Sequence, residues 1–186
     1  MSDILQDTDT SSQPSFTFRN RMMRWLWNIV YVLCFRYSPK PFHFWRRLIL
    51  SIFGARIARD CHVYPKAKIW APWNLIMDEK SCLADEVNCY SMAEIKIGRK
   101  AVVSQGAHLC AGTHDYENPR FPLQAFPISI GAKAWICTES FVGPGVTIGE
   151  GAILAARAVA MKDIPEWKVY AGNPCQLIKE RKKNSP

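Results

Sequence analysis

With 186 residues, the chain has room for one domain of ordinary size and no second catalytic domain beside it. Its 24 Lys and Arg outnumber 16 Asp and Glu, a formal net charge of +8, but the excess is local: residues 18–59 hold nine of the basic residues and no acid. That stretch interleaves its charge with Trp25, Trp27, Phe35, Phe42, Phe44 and Trp45, which suits an anionic membrane surface and not a recognition element for nucleic acid, so no nucleic-acid partner is expected.

Residues 1–17 are polar, carry Asp3, Asp7 and Asp9, and contain Ser11-Ser12-Gln13-Pro14. They read as a disordered tail without the apolar core of a secretory signal, which points to a reducing cytoplasm. The seven cysteines agree, being scattered at 34, 61, 82, 89, 110, 137 and 175 with no Cys-x-x-Cys spacing. A basic aromatic helical leader follows over 18–60. Met22 to Phe35 is a nearly unbroken apolar run, and Ser38-Pro39-Lys40-Pro41 separates it from a second run, Phe42 to Phe53. Neither run reaches the roughly 20 residues that a helix needs to cross a bilayer. The pair is expected to cap the end of the structure that follows or to pack in a trimer, with contact of residues 20–55 with the inner membrane surface, as interfacial helices, an additional role.

From 61 to 166 the pattern changes. An aliphatic residue recurs every sixth position at Ile97, Val103 and Leu109, and again from Ile130 through Ile136, Val142, Ile148 and Leu154 to Ala160. The series extends back through Val63, Ile69, Met77, Leu83 and Cys89. Four residues after each of the later members stands a small or β-branched one: Ala101, Ala107, Thr113, Ala134, Ser140, Val146, Ala152, Ala158 and Ile164. Neither a helix nor an ordinary strand has that period. A repeat of six predicts a parallel β-helix, in which each hexapeptide forms one flat face of a triangular coil with its aliphatic residue pointing inward. Five short coils are expected. The phase breaks only between Ile69 and Met77, Cys89 and Ile97, and Leu109 and Ile130. All three breaks fall at one corner, so a single edge carries every insertion. The longest, 113–128, begins at Gly112-Thr113-His114-Asp115-Tyr116 and contains Pro119, Pro122 and Pro127; it cannot continue a ladder and is predicted to protrude. The remainder, 167–186, predicts a turn followed by a short basic helix from Gln176 to Lys183.

The hexapeptides, the Thr113-His114-Asp115 loop, and the tail Lys162-Asp163-Ile164-Pro165 with Ala171-Gly172-Asn173-Pro174 closely resemble the hexapeptide acyltransferases of the left-handed β-helix type. The basic aromatic leader and the His-Asp-Tyr loop are similar to those of the colanic acid biosynthesis acetyltransferases. The resemblance implies an all-β, left-handed parallel β-helix with an N-terminal helical segment and a short C-terminal helix. It also implies a homotrimer with an active site between each pair of prisms, acetyl-CoA as co-substrate, and no metal. The reaction implied is O-acetylation of a sugar hydroxyl in a surface polysaccharide or its lipid-linked precursor. Removing a hydroxyl proton as the oxygen attacks a thioester calls for a general base, and histidine is the natural one; His114 stands where the family places it.

Asp115 adjoins His114 and its short side chain is unsuited to reach that ring, so substrate contact and loop structure both stay open for it. Glu94 is the fifth residue after Cys89, as His114 is the fifth after Leu109. Coil arithmetic therefore puts the two on adjacent coils about 4.8 Å apart, where Glu94 either orients the imidazole or is a solvated corner carboxylate. For coenzyme A the resemblance points to Thr138, Ala156, Met161, Lys162 and Lys179, with Met161 replacing a threonine of the galactoside-type relatives. Trp135 either stacks on adenine or packs in the trimer. Two other classes share the coils: a non-catalytic trimeric scaffold, and a γ-type carbonic anhydrase. The second needs three histidines converging on zinc, and the separations among His62, His108 and His114 fit that poorly.

Overall fold

A computed structural model describes residues 15–183 of the chain. Short parallel strands stack into three sheets that form the sides of a prism. The first face holds Arg56–Ile57, Leu75–Met77, Ile95–Ile97, Ile128–Ile130 and Thr147–Ile148; the second, His62–Val63, Cys82–Leu83, Val102–Val103, Trp135–Ile136, Ile153–Leu154 and Lys168–Ala171. Lys68–Ile69, Asn88–Tyr90, His108–Cys110, Phe141–Val142 and Val159–Ala160 make the third. The chain is thus a parallel β-helix of about six turns, one more than the repeat suggested.

Register explains the period. Leu83 pairs with Val103 and Val103 with Ile136, so each aliphatic residue sits on its counterpart one coil below. Every member of the series from Val63 to Ala160 is at most 4 % exposed, and burial of each Ile, Leu or Val contributes about 1.5–3 kcal/mol. Cys89 takes an inward slot, where burial pushes its thiol up to about 12, and it packs as a neutral apolar group. All seven cysteines are free. The corners turn through the left-handed region, at Lys80, Lys100, Lys133, Gly151 and Trp167 between the first and second faces. At Gly151 it is the close approach that asks for glycine, because an added Cβ would meet the Trp167 ring at 2.7 Å, whereas lysine or tryptophan takes the same backbone region on the other coils.

All three insertions lie where the phase breaks put them, between the third face and the first. Two expected boundaries shift and one expected element changes type. The coils begin at Arg56–Ile57, ahead of 61, because those two residues pair with Ile76 and Met77. Residues 1–14 of the expected tail lie outside the described residues, whereas 15–17 belong to the fold: the Phe16 ring lies 5.2 Å from that of Trp70, and the Thr17 hydroxyl accepts from the Asn20 N–H. The C-terminal helix is absent. Gln176–Glu180 is instead a strand running antiparallel to Lys168–Ala171, because the last coil presents an open edge of N–H and C=O groups that a returning strand satisfies and a helix does not.

The leader forms an α-helix, Phe18–Val30, continued as a π-helical turn, Tyr31–Phe35, and a second α-helix, His43–Ile52. Trp27 anchors the first, its indole N–H donating to the Ile69 carbonyl at 2.7 Å and its ring meeting Phe35 and Phe53. The second lies on the first coil. Arg46 is fully buried there, with Nε donating to the Val63 carbonyl at 2.6 Å and Nη1 to Ser38 Oγ and the Pro39 carbonyl, both at 2.8 Å. Arg47 reaches the Cys61 carbonyl at 2.9 Å. These contacts cover the end of the prism, as the capping reading required.

Candidate active site

The long loop leaves the prism immediately after the third-face strand His108–Cys110. Gly112–His114 pairs antiparallel with Leu123–Ala125, placing Thr113 opposite Gln124 and His114 opposite Leu123. Gly112 permits the exit, since a Cβ there would stand 2.4 Å from Met92 Sδ. At the tip, Asp115 Oδ1 accepts from the Glu117 N–H (3.3 Å) and Asn118 Oδ1 from the Arg120 N–H (3.0 Å), two Asx turns that close the hairpin without help from the prism. The ladder resumes at Ile128, whose N–H donates to the Glu94 carbonyl.

The hairpin holds His114 from two sides. Its ring stacks on that of Phe121, with centroids 4.3 Å apart and planes 13° from parallel, and Nδ1 lies 3.0 Å from the Phe121 carbonyl oxygen. A carbonyl only accepts, so that contact keeps the proton on Nδ1 and leaves the Nε2 lone pair available to a substrate. Asp115 serves the loop: its N–H donates to the Pro122 carbonyl and its carboxylate turns back on Glu117.

Glu94 does not stack against His114. Its carboxylate pairs with Arg56 at 2.7 Å, and its chain neighbour Ile95 pairs with Ile128 on the next coil. The coil arithmetic fails there because residues 112–125 pair with one another, and the position facing Glu94 passes to the end of the loop. Thr138 and Ala156 share the corner between the second and third faces; the Thr138 hydroxyl donates to the Gln105 carbonyl at 2.9 Å, and its own carbonyl accepts from the Arg157 N–H. Met161 and Lys162 are exposed on the corner that carries His114. The two pairs therefore flank the third face along its two edges. Trp135 and Lys179 lie apart from them, in one column of the second face in which Trp135 pairs with Ile153, Ile153 with Val169, and Val169 with Lys179.

The strip between the flanking corners holds residues that the period-six reading passed over. Asn88, His108 and Phe141 each stand one place before an inward aliphatic residue and so point outward. His108 Nε2 lies 3.3 Å from the Asn88 amide nitrogen and its ring meets Phe141 edge-on; burial lowers its pKa below the ordinary histidine value. The signal for this row was present in the repeat, which marks outward positions as surely as inward ones. The role of Phe121 left no such signal, since its carbonyl matters more than its side chain. Among the described residues no three His, Cys, Asp or Glu side chains gather as a metal site.

No family model matches the chain. Over 178 residues, 95 % of this chain and 98 % of the relative, it is 39 % identical to the protein of Escherichia coli K12 named as colanic acid biosynthesis acetyltransferase WcaF. A maltose O-acetyltransferase from Clostridium difficile 630 shares the fold with a TM-score of 0.80 at 22 % identity over 90 % of each chain. The hexapeptide-repeat acetyltransferase VCA0836 from Vibrio cholerae, complexed with acetyl-CoA, does so with a TM-score of 0.78 at 19 % identity, over 90 % of this chain and 91 % of that one. The structural likenesses carry the fold, and the identity sustained along nearly the whole of both sequences carries more: this chain belongs to the colanic acid biosynthesis acetyltransferases, built on the hexapeptide-repeat β-helix.

Proposed function

We propose that the protein transfers the acetyl group of acetyl-CoA to a sugar hydroxyl of a surface polysaccharide or its lipid-linked precursor, with His114 as general base. The observation that carries this reading is the grip of the Phe121 carbonyl on Nδ1 of His114. It leaves Nε2 as the basic nitrogen on a hairpin at the corner that also carries Met161 and Lys162. Nε2 accepts the hydroxyl proton as the acceptor oxygen attacks the thioester carbonyl; the C–S bond breaks, and the imidazolium returns its proton to the departing thiolate. Thr138 and Ala156 on one edge of the third face, with Met161 and Lys162 on the other, are the residues proposed to hold the coenzyme, Lys162 facing its phosphates. Trp135 and Lys179 reach that coenzyme only if a neighbouring subunit brings their face to it.

A homotrimer supplies such a neighbour. The outward row of the second face runs His62, Cys82, Val102, Trp135, Ile153, Val169 and Lys179, apolar through its middle, whereas that of the first face, Arg56, Ile76, Lys96, Ser129 and Thr147, holds a single apolar residue. An apolar row of that kind favours burial against another copy. The relative's name supports an exopolysaccharide acceptor, and the basic aromatic leader favours one presented at the inner membrane surface.

The test is an acceptor screen with labelled acetyl-CoA, including lipid-linked oligosaccharides. Transfer to a sugar hydroxyl is expected, falling about 10²- to 10⁴-fold in His114→Ala with coenzyme affinity nearly unchanged. A folded His114→Ala protein that keeps turnover within about threefold of the parent would remove His114 from the chemistry.

A further inference from the structure

The leader helices bury one side and leave the opposite side apolar as well. On the first, Asn20, Trp27 and Phe35 face the prism and are buried. Phe18, Met22, Trp25, Ile29 and Leu33 recur at steps of three and four on the other side, about 180° round the helix at 3.6 residues per turn, and are 37 to 74 % exposed. The second helix repeats the arrangement, with Arg46, Ile49 and Leu50 buried and Phe44, Leu48 and Ile52 exposed. The Trp45 indole N–H donates to the Cys34 carbonyl at 2.9 Å, joining the second helix to the end of the first. Burial against the coils explains one stripe on each helix and leaves the other without an occupant.

Charge selects the occupant. Arg19 and Arg21 flank the outer stripe of the first helix, exposed Arg36 and Lys40 follow it, and no acid occurs anywhere in 18–59. A second copy docking by the same surface would set these cations against one another. An anionic lipid surface meets both needs, taking apolar and aromatic side chains at the acyl boundary and cations at the headgroups. Among the described residues no helix is long and apolar enough to cross a membrane, so the contact is one of lying on the surface.

We propose that the outer faces of Phe18–Phe35 and His43–Ile52 form a docking surface for an anionic bilayer. Flotation of the full chain with vesicles of phosphatidylcholine and phosphatidylglycerol, against vesicles of phosphatidylcholine alone, reads this without turnover. Its outcome is thus separate from that of acetyl transfer. The parent protein is expected to float with the anionic vesicles at low salt, and the combined variant Trp25→Asn, Leu33→Asn, Phe44→Asn to lose at least about tenfold in bound fraction while melting like the parent. The pair Arg19→Gln, Arg21→Gln should weaken the preference for phosphatidylglycerol. Failure of the parent to float, or equal flotation of the apolar variant, overturns the proposal. So does a smaller assembly in light scattering with vesicle binding unchanged, because the stripe would then join copies of the chain.

Discussion

At the scale of single residues, the contrast between His114 and His108 is one of surroundings. His114 sits on a hairpin that fixes its tautomer through a backbone carbonyl, whereas His108 lies half-buried in the third face between Asn88 and Phe141. Burial lowers the pKa of His108 below the ordinary 6.5, and it lowers that of His43 in the same direction, aided by the Arg46 charge. Below pH of about 6.5 the unfolded chain therefore binds protons at these positions that the folded chain resists. Stability should be full above that value and decline as pH falls beneath it. Thermal melts from neutral pH down to about 5 check this, and His108→Gln should show a shallower decline than the parent.

At the scale of elements, one polar side chain ties the second helix both to the first coil and to the link before it. The Arg46 guanidinium spans from Val63 on the first coil to the Ser38–Lys40 link, donating to three carbonyls and a hydroxyl without leaving the interior. Arg46→Met keeps the volume but strands those carbonyls, a loss of about 3 kcal/mol or more. Urea unfolding should show a lower midpoint with the slope little changed. The neighbouring Arg47 offers no replacement, because its guanidinium is committed to the Cys61 carbonyl. The C-terminal strand does the corresponding work at the other end, where Arg181 Nη1 donates to the Lys133 and Gly151 carbonyls and fastens the returning chain to the coils beneath.

At the scale of the whole molecule, the three faces of the prism divide the labour. The first carries mostly charged and hydroxyl side chains on its outward row, the second an apolar run, and the third lies between the two corners that carry the proposed coenzyme residues. If the second face joins copies, Val102→Glu with Trp135→Glu should convert the trimer to smaller species in light scattering, and turnover should fall with it. Fold should survive, since both side chains point away from the stack. The leader helices extend the same logic beyond the prism, with one side of each spent on the coils and the other left for a surface of opposite charge.

Much of this was written in the sequence, because a period of six is a direct record of the inward row: one aliphatic residue for each flat side, with insertions tolerated only where the chain turns. The prism and the edge bearing the loop both follow from that count. Three matters depended on contacts between distant residues. Glu94 met Arg56 instead of His114 because the hairpin pairs within itself and takes His114 out of the coil register. The basic tail became a strand because the last coil left an edge to be satisfied, overriding a local preference for helix. The tautomer of His114 came from a main-chain oxygen, which no side-chain pattern encodes.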